Sequence, residues 1–191
     1  MDENLRWEKL KDKIVRKDRW VDFREATYRM PNGNTVAPFY HYTGRDFVVI
    51  AAIDKQGKYI CVRQFRVGID EVTTEFPAGG IEAGETPRDA AKRELREETG
   101  SVAARWTDLG SLYANPTMGT SRAHCFLAED CETVTAQELD ATECVVYLHL
   151  GESELRQAIE DGSFAQAVHL VLYYRVKELR EGRRVTALRN R

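Results

Sequence analysis

The stretch from Glu75 to Gly100 narrows the fold and chemistry of this chain more than any other, because a glycine-rich loop there feeds a helix dense in carboxylates. The loop reads Glu75-Phe76-Pro77-Ala78-Gly79-Gly80-Ile81-Glu82-Ala83-Gly84-Glu85. Thr86 suits an N-cap, Pro87 fits the first helical position, and Asp89 completes a capping-box-like pattern. Gly100 supplies a stop, so the signals predict a helix over 87–99. At about 100° per residue, Glu97 and Glu98 fall roughly −60° and +40° from Glu94, so three carboxylates share one face. Ala91 and Leu95 form an apolar stripe beside them, as expected of a helix that packs one side and lines a cleft with the other.

A solvated, charge-rich helix face is the bland reading, and Arg93 and Glu97 are i,i+4 partners in keeping with it. Three like charges side by side nevertheless cost stability unless a cation neutralises them. Hard divalent ions take carboxylate oxygens, and magnesium combines a few carboxylates with phosphate oxygens of a substrate. Gly79, Gly80 and Gly84 let backbone groups approach a ligand closely. Gly79 and Gly84 have the spacing of a phosphate-binding P-loop, but that loop needs lysine where this chain has Glu85. An anion there repels phosphate unless a metal lies between.

At 191 residues, with 28 basic against 31 acidic side chains, the chain suits one domain with an added element and shows no basic block for nucleic acid. No apolar run approaches a membrane span, and the N-terminus is charged rather than signal-like. Cys61, Cys125, Cys131 and Cys144 make no zinc-like spacing, and most sit in apolar runs as buried thiols would, which fits a reducing cytoplasm.

Leu5, Leu10 and Ile14 are spaced for one face of a short helix over 5–17. Turn signals at 31–34 and 54–57 separate strands expected at 21–30, 36–42, 47–53 and 59–65. More strands are expected at 106–114, 123–128 and 144–150, then helices at 153–160 and 164–179. Strands and helices without regular βαβ alternation predict an α+β sandwich. The basic run 180–191 reads as a solvated tail.

Gly79, then Glu85, Arg93-Glu94-Leu95, Glu97-Glu98 and Gly100, with their spacings, resemble the box of the Nudix hydrolase family. Ser101 stands where the family has an aliphatic residue, with Val102 next. The resemblance implies an α/β/α sandwich around a mixed sheet over residues 45–180. It implies magnesium, with manganese as a possible substitute, held by Glu94 and Glu98 with Glu85, Glu97 and the Ala78 carbonyl. Arg93 would orient the glutamates. Glu143, in the acidic stretch 137–143, would be a metal-adjacent carboxylate and catalytic base, with Glu97 as the substitute base.

Val62-Arg63-Gln64-Phe65-Arg66 and Glu75-Phe76-Pro77-Ala78-Gly79 resemble the ADP-ribose and nucleoside-diphosphate-sugar pyrophosphatase branch, as does Pro116. Arg63 or Arg66 would meet the diphosphate, as guanidinium groups do. Thr117-Met118-Gly119-Thr120-Ser121-Arg122 departs from the branch pattern, near where the second sugar would lie. Residues 1–44 would form a helix and an antiparallel strand extension that pairs a homodimer and completes the base pocket, with Trp20, Phe23, Tyr28 and Tyr40 as stacking candidates and Met118 nearby. The expected reaction is metal-dependent hydrolysis of ADP-ribose or a related nucleoside diphosphate sugar. Hydrolysis of dinucleoside polyphosphates or coenzyme A, and non-catalytic sensing of ADP-ribose, are the rivals.

Overall fold

The computed structural model describes residues 4–183. The chain forms two compact units, one from the segment up to Arg45 plus Tyr113–Ser121, the other from Asp46–Leu112 and from Arg122 onward.

The first unit is built on an antiparallel sheet of β1 (Glu8–Lys17), β2 (Asp22–Arg29) and β3 (Thr35–Thr43), in that order. The β2–β3 turn closes where Met30 N–H donates to the Asn34 carbonyl at 2.8 Å, with Gly33 at φ 86°, a region glycine enters without steric cost. β1 overturns the helix expected over 5–17. Leu10 and Ile14 are four residues apart, which puts them on one face of a strand as well as of a helix, so their spacing does not discriminate. Partners from β2 settle it: Glu8 faces Arg29 and Lys17 faces Asp22, with ion pairs of 3.0 and 3.2 Å. Such opposite-charge pairs are a unit of sheet stabilisation.

The second unit holds β4 (Phe47–Asp54), β5 (Tyr59–Arg66), β6 (Glu71–Glu75), β7 (Ala78–Gly80), α1 (Pro87–Thr99) and β8 (Ser101–Val102). It continues with β9 (Arg105–Tyr113), β10 (Arg122–Thr133), β11 (Val145–Leu150), α2 (Glu152–Glu160) and α3 (Ala167–Arg180). The sheet runs β11-β5-β4-β10-β8, with β6 on β5, β7 on β4 and β9 on β10. β10 is parallel to β4, while β5 and β7 are antiparallel to it, so the sheet is mixed.

β4 reads as an unbroken apolar run because both its faces are covered. Val48, Ile50 and Ala52 pack with Ala90, Ala91 and Leu95 of α1, whereas Val49, Ala51 and Ile53 pack with Leu172, Tyr173 and Val176 of α3. Helices on both faces of a mixed sheet make the α/β/α sandwich that was expected. Ser101 is buried beneath the end of α1, its hydroxyl 3.1 Å from that of Thr133. The loop read at 75–85 contains β7, too short for a periodic signal, and β6 precedes it. Residues 184–191 of the expected basic tail lie outside the described residues.

Candidate active site

The start of α1 follows its sequence closely. The Thr86 side chain accepts from the Asp89 N–H at 3.2 Å, and Gly100 ends the helix at φ 67°. This fixes the phase of the helix, which turns Glu94 and Glu98 inward against β7. Both are nearly closed to solvent, at 7% and 3% exposure. The Ala78 N–H donates to Glu98 Oε2 at 3.0 Å, tying the loop strand to the helix.

Burial and the neighbouring charges of Glu94 and Glu143 push the Glu98 carboxyl up to about 8, against the Ala78 N–H and Arg66, which favour the anion. Glu94 is also raised, by burial first, although Arg93 opposes it. Buried carboxylates crowded by other carboxylates cost free energy unless a proton or a cation neutralises them.

Arg93 gathers the rest of the cluster. Its Nε and Nη2 each donate to Glu85 at 3.0 Å, and its Nη1 donates to Glu94 at 2.7 Å and Glu97 at 2.9 Å. Nη2 also reaches the Gly80 carbonyl at 2.9 Å. Glu85 is lowered by its hydrogen bond to Arg93, and Arg93 is raised in return, by Glu85 first. One guanidinium thus binds the loop to the helix and fixes three glutamates.

Glu143 is exposed, and its carboxylate accepts from the Asp140 N–H at 3.1 Å. Its segment is pinned to the end of α1: the Glu138 N–H donates to the Glu97 carbonyl at 2.9 Å, and Gln137 Nε2 to the Glu98 carbonyl at 2.5 Å. That anchoring brings the Glu143 charge within reach of both Glu94 and Glu98. Among the described residues no three of these carboxylates are yet grouped to hold one ion. The donor chemistry nevertheless suits a hard divalent cation, since oxygen ligands predominate and two are buried with raised affinity for protons.

Strand alternation separates the two candidate arginines. Gln64 and Arg66 turn towards Glu75 of β6, while Arg63 is exposed on the opposite face beside Phe65. Arg66 lines a cavity of about 340 Å³ together with Phe47, Ala78, Gly79, Gly80, Gln166 and His169. His169, at 1% exposure, lines this cavity, and Glu75, with no exposed surface, lies behind Arg66; from the sequence Glu75 stands only as part of a motif and neither residue carries a role. The partners of Glu75 at the start of α3, Gln166 and His169, lie some ninety residues away in the chain, so no local spacing could have announced them.

Trp20, Phe23 and Met118 belong to the first unit. Trp20 is 72% exposed, with the Arg19 guanidinium 4.5 Å from its ring centroid. Phe23 stacks on Tyr40 at 5.6 Å, and the Met118 carbonyl accepts from the Tyr42 N–H at 2.8 Å.

All four cysteines are free. Cys61, Cys125 and Cys131 are buried and Cys144 is exposed. Among the described residues no helix is long and apolar enough to cross a membrane.

The NUDIX domain family matches residues 43–184. A Bacillus subtilis protein named ADP-ribose pyrophosphatase is 29% identical over 178 residues, covering 88% of this chain and 95% of its own. A Bacillus methanolicus protein named methanol dehydrogenase activator is 29% identical over 173 residues, covering 88% and 92%. A crystal structure of an ADP compounds hydrolase shares the fold with a TM-score of 0.83, covering 94% of this chain and 97% of that one at 24% identity. With the family's pattern spanning residues 43–184, this chain belongs to the Nudix family and is a hydrolase of pyrophosphate bonds.

Proposed function

We propose that the protein hydrolyses the diphosphate of ADP-ribose or a related nucleoside diphosphate sugar, with magnesium as its cofactor and manganese as a substitute. The products are a nucleoside monophosphate and a sugar phosphate. The observation that carries this reading is that Arg66 shares a cavity wall with Ala78–Gly80, while the Ala78 N–H reaches back to buried Glu98. A guanidinium beside a carboxylate cluster offers one group to a diphosphate and several to the ions that accompany it. The name carried by the Bacillus subtilis relative supports the choice of substrate.

Glu94, Glu98, Glu97 and Glu85 would supply oxygens to divalent cations, with the Ala78 carbonyl and Glu143 at the margin. When bound, the ions neutralise phosphate charge and lower the pKa of attacking water. Arg93 keeps the glutamates in register, and Arg66 orients the diphosphate. Glu143, or Glu97 in its place, takes the proton from the water that attacks one phosphorus of the bridge. Residues 1–44 act as a pairing element of a homodimer and residues 45–180 as the hydrolase domain. Trp20, Phe23 and Met118 would then contribute to the nucleoside and sugar pockets. Free, buried thiols suit a cytoplasmic protein.

The test is a panel of ADP-ribose, ADP-glucose, GDP-mannose, a dinucleoside polyphosphate and coenzyme A. Each is incubated with magnesium, manganese or chelator, and phosphate is read after phosphatase coupling. Turnover of ADP-ribose or a nucleotide sugar with metal, and none with chelator, is expected. Turnover confined to the last two substrates, or metal-dependent ADP-ribose binding without any hydrolysis, would select a rival.

A further inference from the structure

We propose that Glu75 is a positioning residue that sets the Arg66 guanidinium for the diphosphate, acting from beneath the cavity wall. This rests on the reading of Arg66 given above. Arg66 Nε donates to Glu75 Oε1 at 2.7 Å and its Nη2 donates to Oε2, so the carboxylate grips the inner edge of the guanidinium at two points. A guanidinium has five N–H groups in a fixed plane. Holding two of them from below leaves both Nη1 hydrogens and one on Nη2 for the cavity.

Glu75 is itself held from three elements. The Thr73 hydroxyl donates to Oε1 at 2.5 Å, Gln166 Nε2 donates to the same oxygen at 2.7 Å, and Gln64 Nε2 lies 3.5 Å from Oε2. His169 completes the support. Its Nδ1 accepts the Phe76 N–H at 3.0 Å, so the remaining ring proton sits on Nε2, 4.0 Å from Glu75 Oε2. β5, β6 and the start of α3 therefore converge on one carboxylate with no exposed surface. A buried carboxylate costs free energy unless its lone pairs are filled, and here donors fill both oxygens. The same backbone runs on through Phe76 and Pro77 to Ala78, so the grip on Arg66 is keyed to the strand that meets Glu98.

A staple joining three elements would do its work whether or not Arg66 is present. A positioning residue acts on substrate only through Arg66. The two separate in a double-mutant cycle on ADP-ribose hydrolysis using Glu75→Gln, Arg66→Ala and the double variant, with thermal midpoints measured alongside. Glutamine keeps the size of Glu75, but its amide offers one acceptor and turns an NH2 towards donors, so the fork on Arg66 cannot form. The expected result is a KM raised about tenfold by Arg66→Ala and about fivefold by Glu75→Gln, with kcat within about twofold in each. In the Arg66→Ala background, Glu75→Gln should change KM by less than about twofold. Arg66→Lys, which keeps the charge without the fork, should behave like Glu75→Gln.

If Glu75→Gln raises KM by the same factor in both backgrounds, the positioning role is wrong and Arg66 keeps its own. If Arg66→Ala leaves KM unchanged, or the wild type does not turn over ADP-ribose, both the role of Arg66 and that of Glu75 fall. Should Glu75→Gln not fold, Glu75→Asp is put through the same cycle. It keeps the charge but draws the carboxylate back by one methylene, and the same dependence on Arg66 is expected.

Discussion

The Glu94 carboxylate occupies the space that a side chain on Gly79 would need: a Cβ built at Gly79 falls 2.1 Å from Glu94 Cδ and from Oε1. Gly79 lies outside the positive-φ region, so its requirement is for space and not for backbone freedom. The first glycine of the box is thereby explained by a carboxylate fifteen residues later in the chain.

Gly79→Ala should displace the Glu94 carboxylate while the sheet pairing of β7 with β4 persists. The expected outcome is a fall in kcat of at least ~10-fold and a weaker apparent affinity for the divalent ion, since a small displacement of a catalytic group is costly. Metal titration of activity, with circular dichroism as the control for folding, checks it. Unchanged metal dependence would mean that the Glu94 position is not needed.

Glu98→Gln tests the buried end of the cluster. An isosteric amide keeps an acceptor for the Ala78 N–H but removes the charge. Turnover should fall by at least ~10²-fold at saturating metal with the fold intact, because the lost contact acts on the transition state. Wild-type kcat in this variant would remove Glu98 from the site.

The same residue sets a pH dependence of stability. Folded Glu98 keeps its proton up to about pH 8, whereas the unfolded chain releases it near its ordinary value of 4.5. Between those values the native state binds more protons, so the metal-free protein should lose stability as pH rises through this window. The loss should amount to a few kcal/mol at most, at about 1.4 kcal/mol per pKa unit. Urea midpoints in chelator from pH 5 to pH 8.5 measure it, and Glu98→Gln should flatten the slope. A slope identical in the variant would assign the effect to other groups.

How far the site was legible depended on whether its parts are local. The helix, its caps and a face shared by Glu94, Glu97 and Glu98 follow from cap residues and 3.6-residue periodicity within one segment; the structure reproduces the helix and its caps, and buries Glu94 and Glu98 while Glu97 stays half-buried. The strand alternation that separates Arg66 from Arg63 was foreseen as a choice, but choosing needed β6, whose five residues carry no clear pattern. Glu75, Gln166 and His169 are joined only by tertiary packing: Glu75 stands in a motif that gives it no partner, and Gln166 and His169 look ordinary in their own neighbourhood. The strand β1 was lost to a spacing shared by helix and strand, and only its β2 partners resolve it.

Oligomeric state offers a separate prediction. In the first unit Trp7, Leu10, Ile14, Val15 and Trp20 are all at least 37% exposed, and every residue of β1 is exposed. β1 is a sheet edge that carries Leu10, Ile14 and Val15 among seven charged residues, and those exposed apolar side chains offer an interaction surface. Light scattering should show a homodimer at micromolar concentration, and charged substitutions at Ile14 and Val15 should shift it to monomer. A fully active wild-type monomer would overturn the expectation.

The base is the finest assignment, and the structure frames the choice between Glu143 and Glu97. A general base must be able to accept a proton near the metal-bound water and must be free to move to it. Glu97 is tied by Arg93 Nη1 at 2.9 Å, a contact that restrains its reach. Glu143 accepts a backbone N–H within its own turn, at 3.1 Å, while its segment is anchored to α1 through Glu138 and Gln137. It is thus held close to the cluster by its backbone, with a carboxylate that can swing. On this balance Glu143→Gln should lower kcat by about 10²-fold and remove the acidic limb of the pH–rate profile, with KM little changed. Glu97→Gln should reduce kcat less and keep that limb. The pair is measured across pH at saturating magnesium. Should Glu143→Gln keep the wild-type rate and profile while Glu97→Gln loses both, the base lies on the helix, and Arg93 must release Glu97 during turnover.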